Sequence, residues 1–225
     1  MSAAPAAHPA DAAAIVREVA EAYAAAEHGA LAFEVTTRTQ IRGGFYKRDD
    51  LQSVAYAVVD GKPTLKRVLR LTQGRRVADA GELQRESAKG DGPLSRFGLR
   101  LPYHAAAAGA YAFEPPRADA AGIEIRFRAS VRDESHGDGT LTVDAERRLS
   151  RVVFNPAKLP DRAAEATVTI EFGPVATGRW DITRIVREFG GRVGFLRGSV
   201  ESTSTYDAYR SFATAELAHA AIERE

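Results

Sequence analysis

The chain has 225 residues, with 31 Lys or Arg against 30 Asp or Glu and a net charge of +1. That balance argues against a nucleic-acid binder, which carries a basic excess. The absence of cysteine excludes disulfides, thiolate chemistry and Cys-ligated zinc, and no apolar run approaches the roughly 20 residues of a membrane span.

Residues 1–10 read as a disordered tail and 11–225 as a single domain, since no composition shift or repeat divides the rest. The small-residue start Ser2-Ala-Ala-Pro-Ala-Ala-His-Pro9 has two readings. It is either a cytoplasmic N-terminus or the mature end of an exported chain whose signal peptide was removed, and the second makes the protein periplasmic or secreted.

Asp11 is placed to cap a helix over 12–27, in which Ile15, Val16, Val19 and Tyr23 form one stripe. Gly29 suits the left-handed position that ends it. From Leu31 the period changes to two: Leu31, Phe33, Val35, Thr37, Thr39 and Ile41 alternate with polar neighbours along a half-buried strand. Gly43-Gly44 turns the chain. Strands over 51–60 and 63–73 are joined at Asp60-Gly61, a strong hairpin signal. The stretch 78–109 breaks the pattern. Asp79-Ala-Gly-Glu82 is a capping box for a short helix, and Gly90, Gly92, Pro93, Gly98 and Pro102 follow. It reads as a plain surface excursion or as a lid.

Short strands then resume. Tyr111 and Phe113 precede Pro115-Pro116. Ile123, Ile125 and Phe127 alternate with charges. Leu141 and Val143 lead through a turn at Asp144–Arg147 to 149–154. Val168, Ile170 and Phe172 form another strand. Trp180, Ile182, Arg184 and Val186 alternate with Asp181, Thr183, Ile185 and Arg187. Gly190-Gly191 reads as a hairpin before a strand over 192–205. A helix over 212–224 pairs Leu217 with Ala221 and Ala218 with Ile222. The fold class is mainly β (α+β): a curved antiparallel sheet of about ten strands forming an open half-barrel, with helices at both ends and an irregular lid-like insertion.

No catalytic signature emerges. Asp133, His136 and Asp138 could ligate a metal, but the Gly137-Asp138-Gly139 beside them is hairpin chemistry, so a solvated turn is the plainer reading. No two of the five histidines stand at i, i+4, and there is no Gly-x-Ser-x-Gly elbow. The apolar strand residues stand out instead. Phe33, Val35, Ile125, Phe127, Ile170, Phe172, Trp180 and Phe195 either fill the core under the helices or line a cavity for a greasy ligand.

The segment Gly139-Thr-Leu-Thr-Val-Asp144-Ala-Glu-Arg-Arg-Leu-Ser-Arg-Val-Val-Phe154 is a strand, an Asp turn and a strand. With the order of elements around it, it resembles the periplasmic lipoprotein-carrier superfamily (LolA/LolB-like fold). The resemblance implies an unclosed antiparallel barrel whose hydrophobic cavity holds lipid, with Asp144 forming a turn. The C-terminal helix departs from that pattern, and none of Arg126, Arg128, Arg184 and Arg197 matches the carriers' cavity arginine.

The expected function is therefore non-enzymatic binding of a hydrophobic small molecule or lipidated protein, without cofactor or metal. Two alternatives stay open. One is an enzyme with its site in the 78–109 excursion, using His104 with Tyr103 and a carboxylate brought in by the fold. The other is an envelope scaffold acting through a sheet edge.

Overall fold

A computed structural model describes residues 11–89, 99–104, 106–119, 122–159, 163–176, 178–193 and 196–224. The expected tail, the Gly/Pro run 90–98 and Phe195 lie outside these residues. Helix α1 (Ala12–Ala26) opens as its cap predicts, with Asp11 accepting from the Ala13 N–H at 3.1 Å; its C-cap is Glu27, and Gly29 beyond it has φ +96°. The strands β1 (Ala30–Gly43), β2 (Tyr46–Val59), β3 (Lys62–Gln73) and β4 (Arg76–Val77) follow, then α2 (Ala80–Ser87). The capping box is complete: Asp79 accepts from the Glu82 N–H at 2.8 Å and Glu82 from the Asp79 N–H at 3.4 Å. Beyond it come β5 (Tyr111–Phe113), β6 (Arg117–Asp119), β7 (Gly122–Ala129), β8 (Gly137–Val143) and β9 (Leu149–Pro156). The chain closes with β10 (Ala163–Pro174), β11 (Trp180–Val193), β12 (Leu196–Phe212) and α3 (Ala215–Glu223).

The strands form one 12-stranded antiparallel sheet in the order β4-β3-β2-β1-β12-β11-β10-β9-β8-β7-β5, with β6 beside β7. Its two ends do not pair, so the barrel is open, as the resemblance implies. The Asp60-Gly61 turn has φ +47° and +73°, the left-handed pair that a two-residue hairpin demands.

Two glycine readings are corrected. Gly190 and Gly191 do not turn the chain. They lie within β11, opposite Ser199 and Gly198. Gly137-Asp138-Gly139 likewise opens β8, opposite Pro156, Asn155 and Phe154. The reason is close approach: a Cβ on Gly139 would stand 1.9 Å from the Val153 carbonyl oxygen.

The inner face of the sheet holds the main core. Ile15, Val16 and Val19 of α1, with Leu101 and Tyr103, pack against Ile125, Phe127, Leu141, Phe154 and Ile170. The outer face over β1 and β2 is floored by Ala30, Ala32, Ala55 and Ala57, and Ala218 and Ile222 of α3 dock there. The small floor lets the helix come close. Leu217, expected on the apolar stripe, is 51% exposed. The two end helices thus lie on opposite faces, and only α1 covers the inner one.

Bulges decide which side chains face inward, because one extra residue reverses the alternation. In β11, Thr183 is extra between the Ile182–Phe172 and Arg184–Glu171 pairs. In β12, Ala208 and Tyr209 together face Phe33.

Candidate functional site

The described residues 99–104 and 106–111, of and beside the excursion, form a wedge. Leu101 and Tyr103 are buried in the core. The segment is tied down by Arg100 N–H donating to Ser135 O at 2.8 Å and Ser130 N–H to Ala110 O at 2.8 Å. Together with α1 it fills the inner face over β7–β10. The same face over β1, β2, β3, β11 and β12 keeps a cavity of about 400 Å³. Its apolar wall is Val35, Val54, Tyr56, Leu71, Phe189 and Val200. Its polar wall is Thr37, Thr39, Ser202, Ser204 and Arg187, with Asp50, Gln52, Lys66, Gln73 and Glu86 also lining it.

The bulge at Thr183 sets this polarity. Counting by strict alternation from Trp180 places Arg187 with Asp181 and Thr183, away from Ile182. After the bulge, Ile182, Ile185, Arg187 and Phe189 share the inner face. Arg187 is only 5% exposed, and its Nη1 donates to Ser204 Oγ at 3.2 Å. Ser204 shares a hydrogen bond with Thr37 at 2.8 Å, and Ser202 with Thr39 at 3.1 Å. A ladder of hydroxyls therefore leads to a buried guanidinium, which sequence reasoning missed. Arg126, Arg128, Arg184 and Arg197 are exposed. Asp50, at the cavity wall, is gripped by Arg48 through Nε at 2.7 Å. That contact holds its carboxyl below the usual carboxylate range. Burial pushes the Tyr206 hydroxyl up, while Arg187 beside it pulls it down.

Of the eight apolar residues singled out by sequence, Val35 lines this cavity. Phe33, Ile125, Phe127 and Ile170 pack in the core. Phe33 stacks on Tyr209 at 5.1 Å, which the Ala208 bulge brings inward. Phe172 and Trp180 line a second pocket of about 220 Å³ beside Val19 and Tyr23 of α1. Trp180 Nε1 donates to Leu149 O at 2.7 Å, and the Arg148 guanidinium stacks on its ring at 4.0 Å.

His104 sits among rings, 5.9 Å from Tyr23 and 4.6 Å from Tyr103. Burial lowers its pKa, which favours the neutral imidazole. No carboxylate is hydrogen-bonded to it among the described residues. The 133–138 cluster is a locked turn. Asp133 Oδ1 accepts from the Ser135 N–H, the His136 N–H and His136 Nδ1 at 2.8–2.9 Å, and Asp138 binds Arg132 at 2.8 Å. His136 is only 7% exposed, so the turn is not simply solvated. Its carboxylates are committed to the fold, and the described residues contain no cluster able to hold a metal.

No family model and no curated protein matches the sequence. Among solved structures, the chain is similar to a domain named for outer membrane lipoprotein sorting, from Vibrio parahaemolyticus. The identity is 10% and the TM-score 0.43, over 87% of this chain and 93% of that one. It is also similar to a DUF1329 family protein from Desulfovibrio piger, at 12% identity and a TM-score of 0.44, over 94% and 99% of the two chains. These are likenesses of fold alone.

Proposed function

We propose that the protein binds an amphiphilic ligand with an acyl chain, a lipid or the lipid part of a lipoprotein, and carries it without chemistry. The observation behind this reading is the uncovered stretch of inner face over β1–β3, β11 and β12. Its volume lies within the roughly 300–1,000 Å³ of small-molecule sites. Its apolar wall suits hydrocarbon, and its hydroxyl ladder and Arg187 suit the polar end. Val35 is the sequence-singled residue that touches the ligand in this reading, and Phe33 supports it from the core. Such a role belongs in an envelope compartment such as the periplasm.

The test is uptake of a fluorescent fatty acid, with mass spectrometry of lipid extracted from the purified protein. Wild type takes up the probe. Val200→Trp, which fills the cavity from β12, lowers uptake at least about tenfold, a loss of roughly 1.4 kcal/mol, with its thermal midpoint unchanged. A wild-type chain that holds no lipid and takes up no probe overturns the proposal.

A further inference from the structure

The β1–β2 and β11–β12 hairpins end side by side, because β1 pairs with β12 and sets Gly43 opposite Gly198. One pair in from the end of each, two cations stand directly across from each other. Arg42 faces Lys47, and Arg192 faces Arg197. Arg42 also faces Ser199 on β12, so alternation sets all four on the outer face of the sheet. Like charges directly opposite disfavour a pair of strands, yet two such rungs stand in adjacent hairpins, where Arg42 Nη2 donates to Gln40 Oε1 at 2.9 Å. All four side chains are exposed, and none is in an ion pair among the described residues.

The inner face of the same tip is apolar. Ile41, Phe189 and Val200 border a shallow groove floored by Gly43, Gly191 and Gly198, with Arg42, Arg192 and Arg197 also lining it. At the turn, Phe45 is fully exposed and Tyr46 is 54% exposed. The nearest carboxylates stand level with Arg42 and Lys47 or further back. Glu188 faces Glu201, and Asp49 faces Gln40, one rung (about 7 Å of strand) behind Arg42 and Lys47. Glu165 lies opposite Gly190. A surface approaching tip-first meets an aromatic ring and the Arg192–Arg197 pair before any acid, and Arg42 and Lys47 stand level with Glu165.

We propose that this double hairpin tip docks on an anionic lipid membrane. Exposed aromatic rings favour the boundary between hydrocarbon and headgroups, and clustered Arg and Lys are drawn to anionic lipid phosphates. Phe45 and Tyr46 enter that boundary while Arg42, Lys47, Arg192 and Arg197 meet the phosphates. The groove shares Phe189 and Val200 with the ligand cavity, but Phe45, Tyr46 and the four cations do not line that cavity, so the two readings fail separately.

The experiment is co-sedimentation of the full chain with vesicles of phosphatidylcholine alone or mixed with phosphatidylglycerol. Wild type pellets with the mixed vesicles and not with the neutral ones. Binding is lost at about 1 M salt, where screening acts within about 3 Å. The double variant Phe45→Ser, Tyr46→Ser loses binding. Arg42→Gln with Lys47→Gln weakens it by about fivefold per charge removed. Leu217→Ser, which removes an exposed apolar residue on α3, leaves it unchanged. Matching thermal midpoints show that the variants fold. Three results overturn the proposal: no binding to the mixed vesicles, which leaves the tip for a protein partner; equal binding to both kinds; or tip variants that bind like wild type.

Discussion

Ala208 has φ +51°, in the left-handed region where a Cβ is unfavourable. The strain has a use. It adds a residue to β12, so Tyr206 and Tyr209, three apart, both point inward and flank Phe33 at 5.9 Å and 5.1 Å. The side chain of Ala208 is itself exposed, so the backbone alone decides what replaces it. Ala208→Gly is expected to stabilise the protein by about 0.5–1 kcal/mol, and Ala208→Val to destabilise it. Denaturant titration checks both, and a destabilising glycine refutes the account of the bulge. Single residues also mark where sequence reading stopped. Asp11, Asp60-Gly61 and the Asp79–Glu82 box announced their roles, because caps and tight turns are local chemistry. Arg187 did not. Its face depends on the bulge at Thr183, which no local residue type signals, and alternation counted from Trp180 ran past it.

Among the elements, the apolar stripes of α1 and α3 were legible as stripes, but not which side of the sheet each would cover. The deciding feature is non-local. Alanines at 30, 32, 55 and 57 leave a shallow floor on the outer face for Ala218 and Ile222. The helix is fixed there by Arg67 Nη1 donating to the Ile222 carbonyl at 2.8 Å and by a Thr64–His219 hydrogen bond at 2.9 Å. Thr64 is itself a bulged residue of β3. Because α3 sits behind the sheet, Ile222→Ala should cost about 2–5 kcal/mol of stability and leave uptake of the fatty-acid probe unchanged below the unfolding temperature. Uptake that falls while the chain is still folded would place α3 in the ligand site. The 78–109 excursion divides similarly. Its capped helix was readable, whereas the wedge role of Leu101 and Tyr103 follows only from the space that α1 leaves open.

At the scale of the whole molecule, turn signals made the antiparallel hairpins readable from β1 to β3 and from β7 to β9. The step that makes one sheet of them was not readable. It is the pairing of β1 with β12, in which Thr37 meets Ser204 across 167 residues of sequence. This pairing leaves two wings, β2–β4 on one side and β5–β11 on the other, joined through β1 and β12. If the wings were separately stable, they would unfold separately. The core argues against that, because one continuous cluster runs from Val68 on β3 through Phe33 and Tyr206 to Phe154 on β9. Losing either wing would expose apolar side chains of the other, which makes partial unfolding costly. Trp180, the only tryptophan, reports on the second wing alone, through its hydrogen bond to Leu149 and its contact with Arg148. Far-ultraviolet ellipticity reports on both wings. In denaturant the two signals should trace one transition with a shared midpoint. A tryptophan transition displaced from the ellipticity curve would mean that the wings are independent units and that β1 and β12 merely hinge them together.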